Sequence, residues 1–320
     1  MVKIIVTRAL PEIALERLGA LGEVWVSSYP RPLTVQELHE TAAGAAALVT
    51  MPMDRVDAPL LAAAGPNLKI VANFAVGFDN IDVEACAAAG VAASNVPDTL
   101  VETTADLAFA LILATPRRIV EGDRLIRAGR PWSWSWDFML GRDAWGSTLG
   151  LVGLGAIAKA VVRRARGFDM DVIYWKPERA SEALEQELGV RYVTFDELLE
   201  RSDIVSLHCP LTDGTKHLIN AAALAKMQPT AFLVNTARGA IVDEAALVRA
   251  LDKGVIAGAG LDVFEREPVV HPGLKQRANV VLVPHLGSAT VDTRERMALR
   301  AVANVEAALA GRPVPDDLRS

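Results

Sequence analysis

Cysteine is almost absent from this chain. Cys86 and Cys209 are the only two in 320 residues. That is too few for a disulfide framework or a cysteine-built zinc site, and it points to a reducing, cytoplasmic compartment. Positive charge is not in excess either. Lys and Arg number 33 against 39 Asp and Glu, a net charge of -6, so there is no electrostatic case for a nucleic-acid or anionic-membrane partner. Long apolar runs are missing. The most apolar stretches, 42–53 and 107–114, fall short of the ~18 residues that a membrane span needs. The opening segment 1–8 is too short an apolar run for a secretory signal and reads as a β-strand. No His-x-x-x-His metal pair, no Gly-x-Ser-x-Gly nucleophile elbow, no internal repeat and no low-complexity segment occurs.

What is present is an ordinary globular composition, 51% hydrophobic and 22% charged, over a length that suggests about two domains at roughly 150 residues each. Short β-branched runs alternate with helical patterns. Strands are predicted over 3–7, 24–27, 46–50 and 69–73, with helices over 11–18, 57–64 and 81–89 between them. Thr34 and Glu37 have capping-box spacing and should open another helix. Residues 100–128 read as a long helical stretch interrupted at Pro116. A Trp-rich segment follows, with Trp132, Trp134 and Trp136 close together. A second series then begins, with strands predicted over 148–152, 172–175, 204–207, 231–235, 258–261 and 280–283 and a helix over 156–166. A long amphipathic helix over 290–310 ends at Gly311. This alternation with short connections implies an α/β protein whose parallel sheets are covered on both faces.

Gly153-Leu154-Gly155-Ala156-Ile157-Ala158 follows the 148–152 strand and opens a helix, the context in which G-x-G-x-x-G/A marks a dinucleotide site. Gly153 permits the tight turn. Gly155 lets the backbone approach a pyrophosphate at the helix N-terminus. The next strand should end in Asp or Glu if NAD is preferred. Here it ends Trp175-Lys176-Pro177-Glu178-Arg179. Lys176 and Arg179 can neutralise a 2′-phosphate, which favours NADP over NAD, although Glu178 could accept from a 2′-hydroxyl. Arg238, Glu267 and His285 each follow a strand of the second series. In open parallel sheets that is the ligand side. A guanidinium can bind a 2-oxo acid by its carboxylate and carbonyl. An imidazole can protonate the developing alkoxide, and a carboxylate beside it stabilises the protonated ring. Taken singly, each has an ordinary structural explanation. Their joint placement points to hydride transfer.

With these motifs in view, the sequence resembles the D-isomer-specific 2-hydroxyacid dehydrogenases, and within them the glyoxylate/hydroxypyruvate reductases. The resemblance rests on 73–82 (Asn73-Phe74-Ala75-Val76-Gly77-Phe78-Asp79-Asn80-Ile81-Asp82), 153–158, 208–212, 235–239, 258–268 and 284–290. It implies two doubly wound parallel-sheet domains: a Rossmann cofactor domain, 98–286, inserted into a flavodoxin-like substrate domain of 1–97 and 287–320. It implies Arg238, Glu267 and His285 as the catalytic set. The amides of Val76 and Gly77, with Arg238 and His285, would hold the substrate. Around the cofactor it places Thr104, Gly153, Leu154, Gly155, Ala156, Ile157, Trp175, Lys176, Pro177, Arg179, Cys209, Pro210, Thr215, Thr236, Ala237, Arg238, Asp262, His285 and Gly287. It also implies a cytoplasmic homodimer, with Trp134 the best match for a Trp that reaches a neighbouring active site and Trp136 the next. Two departures stand out. Ala158 replaces the common third Gly, and the tip at Trp175-Lys176-Pro177 fits neither the acidic NAD pattern nor the usual NADP one.

Two other readings stay open at this point. One is a dehydrogenase of another 2-hydroxy acid, such as 3-phosphoglycerate or a bulky 2-oxo acid. A phosphate-bearing substrate would want cations near 75–77, and Met51-Pro52-Met53 and Phe74-Ala75 offer none, which favours a small or apolar substrate. The other is a catalytically weak NAD(P)-sensing or corepressor-type protein.

Overall fold

The computed structural model describes residues 2–319. The chain divides into two compact units, one of Met1–Leu100 with Ala289–Ser320, the other of Val101–Ser288.

The first unit holds five strands: β1 (Lys3–Val6), β2 (Glu23–Val26), β3 (Ala47–Thr50), β4 (Ile70–Asn73) and β5 (Ala92–Ser94). Every pairing is parallel, in the order β2-β1-β3-β4-β5. β3, β4 and β5 are buried along their whole length, as expected for a sheet sandwiched between helices. Thr34 accepts from the Glu37 amide while Glu37 reaches back to the Thr34 amide, so the capping box forms. Asp57 and Asp82 cap two further helices through their side chains. The first helix runs Glu12–Gly19 and takes Gly19 in, rather than stopping before it. The C-terminal helix Val291–Leu309 belongs to this unit. It buries Met297, Ala298, Ala301, Val302 and Val305 in the same cluster as Ile4, Val6, Val49 and Ile70. Asn304, fully buried, fixes its register: Nδ2 donates to the Asn95 carbonyl at 3.2 Å and to Asp316 Oδ2 at 2.9 Å, while Oδ1 accepts from the Asp316 amide.

The second unit holds β6 (Thr148–Val152), β7 (Asp171–Trp175), β8 (Val190–Tyr192), β9 (Ile204–Leu207), β10 (Phe232–Asn235), β11 (Gly258–Leu261) and β12 (Val280–Leu282), all parallel, in the order β12-β11-β10-β9-β6-β7-β8. Strand alternation sends successive side chains to opposite faces. Accordingly Val152, Ile173, Val205, Leu207, Leu233 and Leu261 join one buried cluster, and Leu149, Leu151, Val172, Tyr174, Ile204 and Val234 join another. The predicted break at Pro116 separates helix Val101–Ala114 from helix Ile119–Arg127, with Arg118 in a left-handed conformation between them. The chain winds outward from β6 through β7 to β8, then returns beside β6 and winds the other way through β9, β10, β11 and β12. The order therefore reverses between β6 and β9, and the carboxyl ends of those two strands mark the crevice where ligands bind in such sheets.

Replacing Asn304 by Ala strands the buried Asn95 carbonyl and removes the partner of the half-buried Asp316 amide. The expected cost is about 2 kcal/mol or more, read as a lowered urea midpoint. A loss below ~0.5 kcal/mol would mean that water takes over these bonds.

Candidate active site

Two turns meet at the reversal point. Gly153, at φ +98°, leaves β6, and a Cβ placed on it would stand 2.8 Å from the His208 carbonyl oxygen and 2.9 Å from the Cys209 amide nitrogen. Only glycine lets the turn after β6 lie against the turn after β9. Gly155 is different: a Cβ there would meet nothing within 4 Å, so the backbone at that position faces open space. It caps helix Ala156–Ala165 with no side-chain hydrogen bond, which leaves the first amides of the helix without an intrahelical acceptor. Ala158, in the third position of the motif, is fully buried, so its methyl is accommodated. Leu154 is buried, and Ile157 packs against the core below the helix.

The residues placed around this crevice take differing parts. The Cys209-Pro210 turn is stitched by Thr215, whose hydroxyl donates to the Pro210 carbonyl at 2.6 Å and accepts from the Thr212 amide at 2.8 Å. Burial pushes the Cys209 thiol up to about 11, so it is not a nucleophile near neutral pH. Beyond β10, Asn235 Oδ1 accepts from the Ala237 amide and Nδ2 donates to the Arg238 carbonyl, which shapes the loop presenting Arg238. Thr236 Oγ1 is buried with no hydrogen-bond partner. An open Gly155, an uncapped helix start and an orphaned hydroxyl beside Arg238 together suit a pyrophosphate-bearing dinucleotide. At the tip of β7, Trp175 stacks at an angle on Phe195, with ring centroids 4.9 Å apart. Arg179 is committed elsewhere: its guanidinium grips Glu185 through Nε and Nη2 at 2.9 and 2.7 Å.

Arg238, Glu267 and His285 are brought together. His285 Nδ1 lies 2.8 Å from Glu267 Oε2, and Glu267 Oε1 accepts from the Phe264 amide at 2.9 Å. Burial alone would raise the Glu267 carboxyl. The His285 hydrogen bond and charge, the Phe264 amide and the Arg238 charge outweigh it and hold Glu267 below the usual carboxylate range. Gly239 allows the approach of the two loops: a Cβ on it would fall 1.9 Å from the Phe264 carbonyl carbon. His285 itself has φ +53°, a conformation that non-glycine residues adopt at a cost. Asp262 holds it there. The Asp262 carbonyl accepts the His285 amide at 2.8 Å, and its buried carboxylate accepts from the Leu286 and Gly287 amides. Burial raises the Asp262 carboxyl. Thr104 donates to the Gly287 carbonyl at 3.0 Å, so its hydroxyl braces the same turn.

In the first unit, Asn73 Nδ2 donates to the Gly77 carbonyl at 3.0 Å and Asn95 Nδ2 to the Val76 carbonyl at 2.7 Å. Asn80 ties Asn73 to the Met51 and Asp54 carbonyls. The peptides of Val76 and Gly77 are thus held by their oxygens. Met51-Pro52-Met53 and Phe74-Ala75 carry no cation of their own, but the fold brings one to Phe74. Arg294, far along the sequence, places its guanidinium 5.9 Å from the Phe74 ring centre. The arm around Trp134 is exposed: Trp134 at 81% and Trp136 at 79%, with Trp132 stacked on Phe138. Sequence reasoning also missed a second imidazole–carboxylate pair. His217 Nε2 meets Glu265 Oε1 at 2.7 Å, two residues from Glu267. Among the described residues no His, Cys, Asp or Glu group could hold a metal ion, and no helix is long and apolar enough to cross a membrane.

A seven-stranded parallel sheet with a glycine turn at its reversal point is the architecture of a dinucleotide-binding domain. The sequence model of the D-isomer-specific 2-hydroxyacid dehydrogenase NAD-binding domain matches residues 109–287, and the chain belongs to that family. It is 48% identical over 300 residues to a glyoxylate reductase of Thermococcus onnurineus, covering 92% of this chain and 89% of the relative. Among solved structures it is similar to a protein of Thermus thermophilus, with a TM-score of 0.90 and 42% identity over 99% of both chains. It is also similar to an NADPH-dependent glyoxylate/hydroxypyruvate reductase of Sinorhizobium meliloti, solved with NADP and malonate. That match has a TM-score of 0.83 and 34% identity, over 99% of this chain and 96% of the other.

Because the native Glu267 carboxyl titrates below its ordinary range, its charge stabilises the fold above that range. The contribution disappears as pH falls through the native value. Glu267→Gln is therefore expected to be less stable than wild type near pH 7, with the gap closing below about pH 4. Denaturant unfolding across that range checks it. A gap independent of pH would show that the Glu267 charge contributes nothing.

Proposed function

We propose that this protein reduces a small 2-oxo acid, glyoxylate or hydroxypyruvate, to the 2-hydroxy acid of D configuration where a stereocentre forms, at the expense of a reduced nicotinamide dinucleotide. The observation that carries this reading is the 2.8 Å pair of His285 and Glu267 beside the Arg238 charge, at the carboxyl end of the cofactor sheet. The reductase names of the relatives from Thermococcus and Sinorhizobium support the substrate class.

When bound, the reduced nicotinamide supplies a hydride to the 2-carbonyl carbon. The helix start at Gly155-Ala156-Ile157 would hold the pyrophosphate, with Thr236 and the Cys209-Pro210 turn lining the remainder. Arg238 binds the substrate's carboxylate and carbonyl oxygen with its paired N–H donors. In the first unit, the Asn95 side chain on the Val76 carbonyl fixes the peptide that carries the Gly77 N–H, and the Val96 amide on the Ala75 carbonyl fixes the peptide that carries the Val76 N–H. Glu267 fixes His285 through Nδ1, leaving Nε2 to give its proton to the alkoxide as the hydride arrives. The first unit is then the substrate domain and the second the cofactor domain. We place the protein in the cytoplasm, supported by two free cysteine thiols, and infer a homodimer assembled through the arm that exposes Trp134, Trp136 and Leu140.

Oxidation of NADPH and NADH by the purified protein, with glyoxylate and with hydroxypyruvate, tests the assignment. Turnover is expected with both acids. Tight dinucleotide binding without turnover on either acid would favour a sensor instead. His285→Ala should lower kcat by about a hundredfold or more, with dinucleotide affinity little changed. Unchanged kcat would remove His285 from its role. Arg238→Lys should raise KM and lower kcat, because an ammonium cannot reproduce the fork. Wild-type constants in that variant would refute the carboxylate clamp.

A further inference from the structure

The segment after β7 carries a charge arrangement that changes how the cofactor's ribose end is met. Tyr174 is fully buried, and its hydroxyl donates to Glu185 Oε1 at 2.6 Å while accepting from the Ala180 amide at 2.9 Å. Glu185, whose side chain is 10% exposed, is thereby anchored at the foot of the tip and cannot swing out to solvent. Arg179 closes on it from outside with two parallel N–H bonds, and its guanidinium lies 5.9 Å from the Tyr192 ring centre. The Arg179 and Tyr174 hydrogen bonds hold the Glu185 carboxyl down to about 2, so its charge persists throughout the working pH range.

We propose that Glu185 is a specificity-determining residue that suppresses binding of the 2′-phosphorylated dinucleotide by neutralising Arg179. This rests on the reading of the chain as a dinucleotide-dependent reductase. A ribose 2′-phosphate brings close to two negative charges at neutral pH. The cation that the sequence offers to meet it is already paired with a fixed carboxylate, in the bidentate geometry that a phosphate would itself want. Over 176–185 two cations, Lys176 and Arg179, face three carboxylates, Glu178, Glu182 and Glu185. The tip as a whole therefore does not attract a dianion. Lys176 alone does not offset Glu185, because its ammonium lacks the fork. NADH, with a neutral 2′-hydroxyl, meets no such penalty.

The test is direct binding, read by nicotinamide fluorescence and by calorimetry in the absence of substrate. Wild-type protein is expected to bind NADH at least as tightly as NADPH. NADPH bound the more tightly would overturn the proposal without recourse to any variant. Glu185→Gln keeps an acceptor for Tyr174 and removes the charge. It should shift the affinity ratio toward NADPH by threefold or more; a smaller shift, or one toward NADH, overturns the proposal. In the double variant Glu185→Gln with Arg179→Met the gain should vanish; a gain that survives would show that Arg179 is not the group released. Circular dichroism confirms that each variant is folded. Binding of neither dinucleotide by wild type would sink the reductase reading itself, which distinguishes that failure from an unmoved ratio.

Discussion

The buried carboxylate of Asp262 is the constraint on which the reactive end of this molecule depends. It sits at the end of β11, 1% exposed, where an unsatisfied charge would be costly. Two backbone amides, those of Leu286 and Gly287, meet its two oxygens. Those bonds, the His285 amide on the Asp262 carbonyl and the Thr104 hydroxyl on the Gly287 carbonyl over-determine the turn after β12. A left-handed histidine is strained by the order of 1–3 kcal/mol and persists only where its surroundings leave no alternative. The turn supplies that condition, and the imidazole is thereby aimed at Glu267.

The same economy runs through the sheet. β10, β11 and β12 are adjacent and parallel, so the loops that carry Arg238, Glu267 and His285 leave the sheet side by side. Their lateral spacing is the inter-strand spacing, roughly 4.8 Å per strand, and only small adjustments are left to the loops. Gly239 removes the side chain that would keep the first two loops apart, and the His217–Glu265 pair fastens the second loop on its other side. Glu265 is anchored a second time, its amide donating to the buried Glu244 at 2.8 Å. A loop tied at Phe264, Glu265 and Glu267 has little freedom to withdraw the carboxylate from His285.

Much of this was legible in the sequence, for a physical reason. Buried parallel strands read as continuous apolar runs, and short connections force neighbouring elements together, so the order of elements and the carboxyl-end placement of Arg238, Glu267 and His285 followed from local pattern. The strands that escaped, β5 (Ala92-Ala93-Ser94) and β8 (Val190-Arg191-Tyr192), are three-residue edge strands without a β-branched run. What local pattern could not carry was partnership across distance. Arg294 stands over Phe74 from some 220 residues away, and the Asn95 side chain reaches the Val76 carbonyl across the sheet. Arg179 and Glu185 are six apart, on opposite sides of a helix start, a spacing that no helical or strand periodicity flags. A charge in a sequence is a candidate ligand; whether it is free to act depends on a counter-charge that only the fold brings to it.

Asp262 and Glu267 show how one loop assigns two carboxyl groups to different work. They lie five residues apart after the same strand, yet their environments push them in opposite directions. Burial dominates at Asp262 and raises it, while the amides it accepts give it a fixed scaffolding role. At Glu267 burial is overcome by the imidazole and by the Arg238 charge, so the group stays ionised next to the ring that must carry a proton. Environments that separate two titratable neighbours in this way divide holding from proton handling. Exchanging the two groups would fail in both places. A carboxylate without amide donors at 262 would release the His285 turn, and one tied by amides on both oxygens at 267, as Asp262 is, would be held by the backbone and not directed at the imidazole.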